Sequence, residues 1–316
     1  MGGTGKWYFT KGEIETETPS RRDGISRMKE SELRRSYCLF QREFGTKLKV
    51  GRVTISTAMM LCHQFYMRQS HGKNDWKIVA TSSMLLACKL VDEVRFLNDI
   101  VFVGYEIGEK FESSQKSSSG GSIRQREFFR KQRDLILLGE RLVMQTIGFE
   151  FDRIKLPFDP LTSALKRLNC SSSGDLGMLT KSLIEECLQT TLCLEFKPHC
   201  IAAGSVAVAA EILKVPIPST GVPQMNGKVW WHEFEVSPQQ LREVVRRMQG
   251  MLTRKADGKQ ALCRPPLPKS NNRNNKVIQH EISSRNPSAS CSSSQSCVSI
   301  EATVDSHPTK KQRTSL

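Results

Sequence analysis

Residues 76–94, WKIVATSSMLLACKLVDEV, set the strongest limit on what this 316-residue chain can fold into. From Ile78 the run is apolar or small on every face that a helix would present, until it reaches Lys89 and Asp92. Such a helix has no side to give to water, so it needs neighbours all round it, which means a helical bundle. Asn74 and Asp75 precede it with helix-starting side chains.

The neighbours are legible on both sides. Residues 26–48 space Leu33, Tyr37, Phe40 and Phe44 at helical intervals, and residues 53–70 form a second helix with a mostly apolar body, in which Phe65 and Tyr66 are core residues. FLNDIVFVGYEIG reads as a shorter helix, EKFESSQKSSSGGS (109–122) as a flexible loop, and residues 126–148 as a long amphipathic helix closing a five-helix unit. Pro157 and Pro160 mark a linker. Beyond it, DPLTSALKRL, GMLTKSLIEECLQTTLCLEF, PHCIAAGSVAVAAEILKV and SPQQLREVVRRMQGML predict another bundle of similar size. The last of these has Ser237 as N-cap, Pro238 at the first helical position and Gln240 completing a capping box. The halves echo each other at an offset of 122: Ala80, Ser83 and Ala87 fall on Ala202, Ser205 and Ala209, small residues where neighbouring helices approach closely. The expected architecture is all-α: an arm over 1–25, bundles over 26–155 and 156–254, and a disordered, basic, Ser-rich tail over 255–316.

Charge and cysteine usage narrow the function classes. The net charge is +15, but residues 255–316 hold ten Lys and Arg against four acids, so only +9 belongs to the body. That is basic without reaching the density of a histone-like binder. No stretch reaches the roughly 18 apolar residues of a membrane span, and MGGTGKWYFT has no apolar signal core, so the expectation is a soluble chain that is neither secreted nor membrane-bound. The 10 cysteines are scattered, without any CxxC, and read as reduced core thiols. Cys187, Cys193, His199 and Cys200 lack zinc-finger ligand spacing and are read as packing. GGTGKW fails as a phosphate loop, because Trp7 stands where Ser or Thr would hold magnesium and no strand precedes it. No kinase glycine loop, nucleophile elbow or HExxH helix is found, so neither a catalytic residue nor a cofactor is expected.

Two charges inside apolar runs remain. Lys89 lies at the end of its helix, where the dipole favours a cation, and Glu93 follows four residues on. Glu140 sits inside LILLGERLVMQTIG. If these two helices pack together, the charges meet on one edge of the bundle and offer donors and an acceptor to the backbone of a docking partner.

KWYFTKGEIETETPSRRDGI (6–25), TISTAMMLCHQFYMRQS, LLACKLVDE, QTIGFEF (145–151) and KVWWHEF (228–234) together resemble the transcriptional cyclins, most closely cyclin T of the plant type, over about Trp7 to Leu252. The resemblance implies a tandem cyclin fold whose first box binds a cyclin-dependent kinase as a heterodimer. Lys89 and Glu140 match the family's lysine and glutamate that contact the kinase near its mobile regulatory helix. Trp7, Tyr8 and Phe9 either staple the arm to the first box or lie near the kinase, and Trp230 and Trp231 anchor the second box. The implied kinase belongs to the transcription-elongation class and phosphorylates the C-terminal domain of the largest subunit of RNA polymerase II, with no nucleic acid required. A nuclear location follows from that role, and PTKKQR (308–313) offers an import signal or simply solubilising charge. RPPLP (264–268) reads as a stiff linker, and only His280 and His307 lie past the folded part, unlike the histidine-rich tails of animal cyclin T proteins. The competing readings are a DNA-binding factor of the transcription factor IIB type, which would be expected to carry a zinc ribbon that the missing CxxC denies, a plain helical scaffold, and a cyclin K or cyclin L type subunit.

Overall fold

The computed structural model describes residues 5–111, 122–171, 174–217 and 229–262. The tail motifs, and residues 112–121 of the Ser/Gly segment, lie outside the described residues. The described chain forms twelve α-helices: α1 (Lys11–Thr16), α2 (Pro19–Arg22), α3 (Arg27–Leu48), α4 (Arg52–Tyr66), α5 (Trp76–Leu90), α6 (Leu97–Phe111), α7 (Ser122–Thr146), α8 (Phe158–Arg167), α9 (Asp175–Leu188), α10 (Leu192–Glu195), α11 (Pro198–Leu213) and α12 (Pro238–Leu262). Short 3-10 turns span Phe151–Arg153 and Trp230–Phe234. Among the described residues there is no strand, and no helix is long and apolar enough to cross a membrane.

The two helices that are apolar all round are the two centres. Helix α5 packs against α3, α4, α6 and α7, and α11 against α8, α9, α10, α12 and the Trp230–Phe234 turn. Every residue from Val79 to Cys88 is buried, as are Cys200 to Val206 and Val208 to Ala210. The internal echo therefore marks equivalent positions in two bundles of five helices, the second counting the four-residue α10. Close approach needs small residues. A Cβ on Gly139 of α7 would meet Ser82 Oγ at 2.4 Å, and one on Gly204 of α11 would meet Val244 Cγ1 of α12 at 2.7 Å.

Capping explains most boundaries. Asp75 accepts from Lys77 N at 2.9 Å to start α5, Ser26 caps α3, and Ser237 and Gln240 exchange capping-box bonds at 3.0 and 3.2 Å. Several limits differ from the periodicity. Helix α4 stops at Tyr66 instead of continuing to residue 70, because Asn74 Nδ2 and the Ser70 hydroxyl organise a turn. The run 177–196 breaks after Leu188, where Thr190 Oγ1 donates to Cys187 O and accepts from Leu192 N. Helix α6 runs to Phe111 and α7 begins at Ser122, so both ends of the expected loop are helical. Helix α12 continues to Leu262, past the expected tail boundary at 255.

The bundles and the arm are tied by buried polar groups. His63 of α4 donates from Nε2 to Leu188 O at the end of α9 at 2.8 Å, while Tyr37 OH lies 2.6 Å from His63 Nδ1. A carbonyl can only accept, so the Nε2 proton is fixed and the Tyr37 hydroxyl donates to Nδ1. Thr18 of the arm donates to Glu30 at 2.9 Å, and Glu30 pairs with buried Arg34 at 2.8 Å. Phe65 and Tyr66 are fully buried, in accord with their reading as core.

Two outcomes follow. Gly204→Ala gains about 1 kcal/mol of helix propensity but drives a methyl into buried, β-branched Val244; overpacking of about 1–3 kcal/mol wins, and the denaturation midpoint falls. Burial, reinforced by the charge of Arg34, lowers the His63 pKa to about 3, and burial does the same to His71. An unfolded histidine titrates near 6.5, so below that pH the unfolded chain binds more protons than the fold. Stability is therefore full above about pH 6.5 and falls towards pH 3, by up to about 1.4 kcal/mol per pH unit per histidine. Melting between pH 6.5 and 5 checks this, with His63→Gln expected to show about half the wild-type slope.

Candidate functional site

The last turn of α5 and the middle of α7 bring the two predicted charges together. Lys89 Nζ lies 2.7 Å from Glu140 Oε1 and donates a hydrogen bond to Oε2 at 2.8 Å. The contact depends on Gly139 one residue earlier, and on Ser82 donating to Ile136 O at 2.9 Å, which hold α7 hard against α5. The pair is asymmetric: the Lys89 side chain is 51% exposed, that of Glu140 only 7%. Glu140 Oε1 is buried and, although near the ammonium, accepts no aligned hydrogen bond. The bundle margin thus presents a half-exposed ammonium with spare donors, held in place by a nearly buried carboxylate. A partner's backbone carbonyl suits those donors.

Glu93 does not pair with Lys89. Its Oε2 accepts from Gly51 N at 2.8 Å and Thr54 Oγ1 at 2.6 Å, capping the start of α4, and these bonds hold its carboxyl below the usual range. Arg95 donates to Leu48 O at 3.0 Å and Lys49 O at 2.8 Å, closing the end of α3. The segment after α5 is therefore anchored through its charged residues, and its apolar ones point outward. Val94 is 70% exposed, Phe96 82% and Leu90 37%. Leu137, one turn before Glu140, is exposed too. Sequence reasoning missed these four. The alternation in DEVRF was a signal, but only tertiary contacts decide that its charges turn inward.

The aromatic arm makes its contacts elsewhere, with α4, the Phe151–Arg153 turn and α10. Trp7 is buried, donates from its indole to Glu150 Oε2 at 2.7 Å, and lies between the guanidinium groups of Arg68 and Arg153, 5.4 and 5.6 Å from its ring. Gln64 donates to Trp7 O at 3.0 Å, and Phe9 N donates to Leu194 O of the second bundle at 2.8 Å. Tyr8 and Phe9 are partly buried against the core. The arm thus staples the first bundle, the linker and the second bundle. Thr10 and Glu13 form a capping box at the start of α1, with Lys6 paired to Glu13. In the second bundle Trp230 and Trp231 meet edge to face at 5.8 Å, and Phe234 is the buried anchor of their turn.

Burial pushes the Cys193 thiol up to about 12 and raises those of Cys187 and Cys200, so they pack as neutral thiols. Among the described residues no group of His, Cys, Asp and Glu could hold a metal ion.

Comparison with known proteins places this geometry in a family. Residues 6–152 match the cyclin N-terminal domain, and 156–285 the cyclin C-terminal domain. Cyclin-T1-3 of Arabidopsis thaliana is 44% identical over 245 residues, covering 78% of this chain and 73% of that protein. The chain belongs to the cyclin family. Its similarity is to plant cyclin T: Cyclin-T1-3 of Oryza sativa subsp. japonica is 45% identical over 242 residues, covering 77% of this cyclin and 47% of the relative. Cyclin-T1-5 of Arabidopsis thaliana is 44% identical over 245 residues, covering 77% and 40%. This cyclin therefore spans about half the length of several curated relatives that it matches. A chain of the yeast RNA polymerase II CTD kinase CTDK-1 complex shares the fold with a TM-score of 0.59 at 16% identity, covering 77% of this chain and 71% of that one. A chain of yeast TFIIK (Kin28/Ccl1/Tfb3) does so with a TM-score of 0.53 at 14% identity, covering 78% and 95%. The tandem cyclin fold expected from the sequence is the observed one.

Trp7→Ala removes a buried ring, an indole hydrogen bond and two cation–π contacts. It is expected to lower stability by about 3–5 kcal/mol and to open the arm to trypsin at Lys6 and Lys11, as measured by thermal melting and limited proteolysis.

Proposed function

We propose that this cyclin is the regulatory subunit of a nuclear cyclin-dependent kinase of the transcription-elongation class, and that Lys89 and Glu140 are its kinase-docking pair. The observation that carries the reading is the half-exposed Lys89 ammonium held 2.7 Å from the nearly buried Glu140 carboxylate at the bundle margin. Such a pair supplies donors at a fixed position, and Leu90, Val94, Phe96 and Leu137 add apolar surface around it. The named cyclin T relatives and the kinase complexes that share the fold support this partner class.

The mechanism needs no catalytic residue on this chain. A protein kinase transfers phosphate efficiently only when its Lys–Glu ion pair is formed and its activation loop is ordered. A docking surface that fits only the active placement of the kinase's regulatory helix shifts the population towards that state, by the difference in affinity for the two states. The substrate proposed for the complex is the C-terminal domain of RNA polymerase II. Trp7, Tyr8 and Phe9 act in this scheme by holding the arm and both boxes as one rigid body.

The test uses Lys89→Ala together with Glu140→Ala, because removing the lysine alone would leave a nearly buried carboxylate unpaired. Each charge-assisted hydrogen bond is worth about 1.5–3 kcal/mol, so the double variant should bind the kinase at least about tenfold more weakly with little loss of melting temperature. Phosphorylation of a polymerase-tail peptide should fall with it. Undiminished affinity of the double variant sinks the site assignment.

A further inference from the structure

Helix α7 carries more than Glu140 on its docking side. Positions 126, 130, 133, 137, 140 and 144 alternate in steps of four and three, so they form one stripe about 27 Å long. The stripe reads Arg126, Arg130, Arg133, Leu137, Glu140, Met144. Its first four side chains are exposed, and it sinks towards the core at Glu140 and Met144. Among the described residues none of the three arginines takes part in a hydrogen bond, ion pair or ring contact, whereas Lys131 on another face of the same helix is paired with Glu127. Three guanidinium groups without a partner among the described residues therefore run for about 10 Å along the helix, on the stripe that continues to the Lys89–Glu140 pair.

We infer that this row is a docking strip for an acidic segment of the same kinase that engages Lys89 and Glu140, an inference that rests on the docking function proposed above. The rises from 126 to 130 and from 130 to 133 are about 6 and 4.5 Å, the spacing of carboxylates one turn apart on a helix laid alongside. Guanidinium forks take carboxylates bidentately, and a row of such groups on an exposed helix steers an acidic partner into register before the apolar residues close. The strip fits a protein segment better than a nucleic acid. It is one helix wide, ends on the Glu140 carboxylate and is bordered by exposed Asp134 and Glu127, which a continuous chain of phosphates would have to pass. Discrete carboxylates can settle on individual arginines and leave the acids in water.

The experiment measures association and dissociation of the full chain with its kinase at about 50 and 300 mM salt, where screening differs strongly. Compared are the wild type, the triple variant Arg126→Gln/Arg130→Gln/Arg133→Gln, the same positions changed to Lys, and the Lys89→Ala/Glu140→Ala variant. The expected result is that wild-type association slows with salt. The Gln triple should associate about tenfold more slowly at low salt with a flattened salt response, and the Lys triple should keep that response. Thermal melts of the exposed triples serve as folding controls. Wild-type association by the Gln triple overturns the inference, and if the Lys89/Glu140 variant is weakened in the same experiment the docking pair still stands. A kinase indifferent to both sets, or absent altogether, overturns both. Should the Gln triple lose only affinity for a short DNA duplex while its kinase kinetics are unchanged, the occupant is nucleic acid and the inference is wrong.

Discussion

The contact between α5 and α7 is the constraint from which the rest of the first box follows. A helix that is apolar all round must be enclosed, and its neighbours can enclose it only if their backbones come close. Ser82 and Gly139 allow that approach: any side chain at 139 would collide with the serine hydroxyl, which is already committed to Ile136 O. Once the two axes are fixed at that separation, Glu140 is confined beside the end of α5 and Lys89 is within reach to pair with it. The same device recurs in the second box, where Gly204 admits Val244, so the duplication preserves a packing rule.

A surface that biases a partner's conformation has to be stiffer than the partner. Here stiffness comes from polar bonds placed where the apolar packing of one box ends. His63 spans from the first box to the last carbonyl of α9, Phe9 reaches Leu194 of the second box, and Trp7 is held between Arg68 and Arg153. The segment after α5 is fixed in the same manner by Glu93 and Arg95, which close the ends of two different helices. Val94 and Phe96 are therefore exposed by construction: Glu93 and Arg95, which alternate with them, are occupied with helix termini, and the apolar residues are left facing out.

Most helices were legible because their signal is local: a 3.6-residue period, small residues in register at an offset of 122, and a capping box at Ser237 need no tertiary information. The meeting of Lys89 and Glu140 was legible one step further, since both charges interrupt apolar runs on helices that the bundle must bring together. What could not be read depends on contacts far apart in sequence. Glu93 looked like a partner for Lys89 at four residues' distance, but a helix N-terminus 42 residues back offers it two donors. The break at Thr190 hides because a threonine in an apolar run looks tolerable until its hydroxyl replaces a backbone partner. The continuation of α12 past residue 255 hides for the opposite reason, since good helix formers without an apolar stripe look like solvent-exposed chain.

Glu140 is the residue at which stability and docking pull apart. A carboxylate with 7% exposure is a costly feature in a free subunit, because taking the charge out of water loses its hydration. A hydrophobic residue at 140 would serve the α5–α7 contact at least as well, as replacements of buried ion pairs elsewhere often do. The cost becomes useful if the carboxylate serves to fix the ammonium for a second chain. A partner then meets donors whose position packing has already set. Lys89, still half in water, limits the penalty in the free state by keeping the carboxylate paired while leaving its own remaining donors available. The asymmetry of the pair is thus the form expected of a site that is kept stable alone and completed by a second chain.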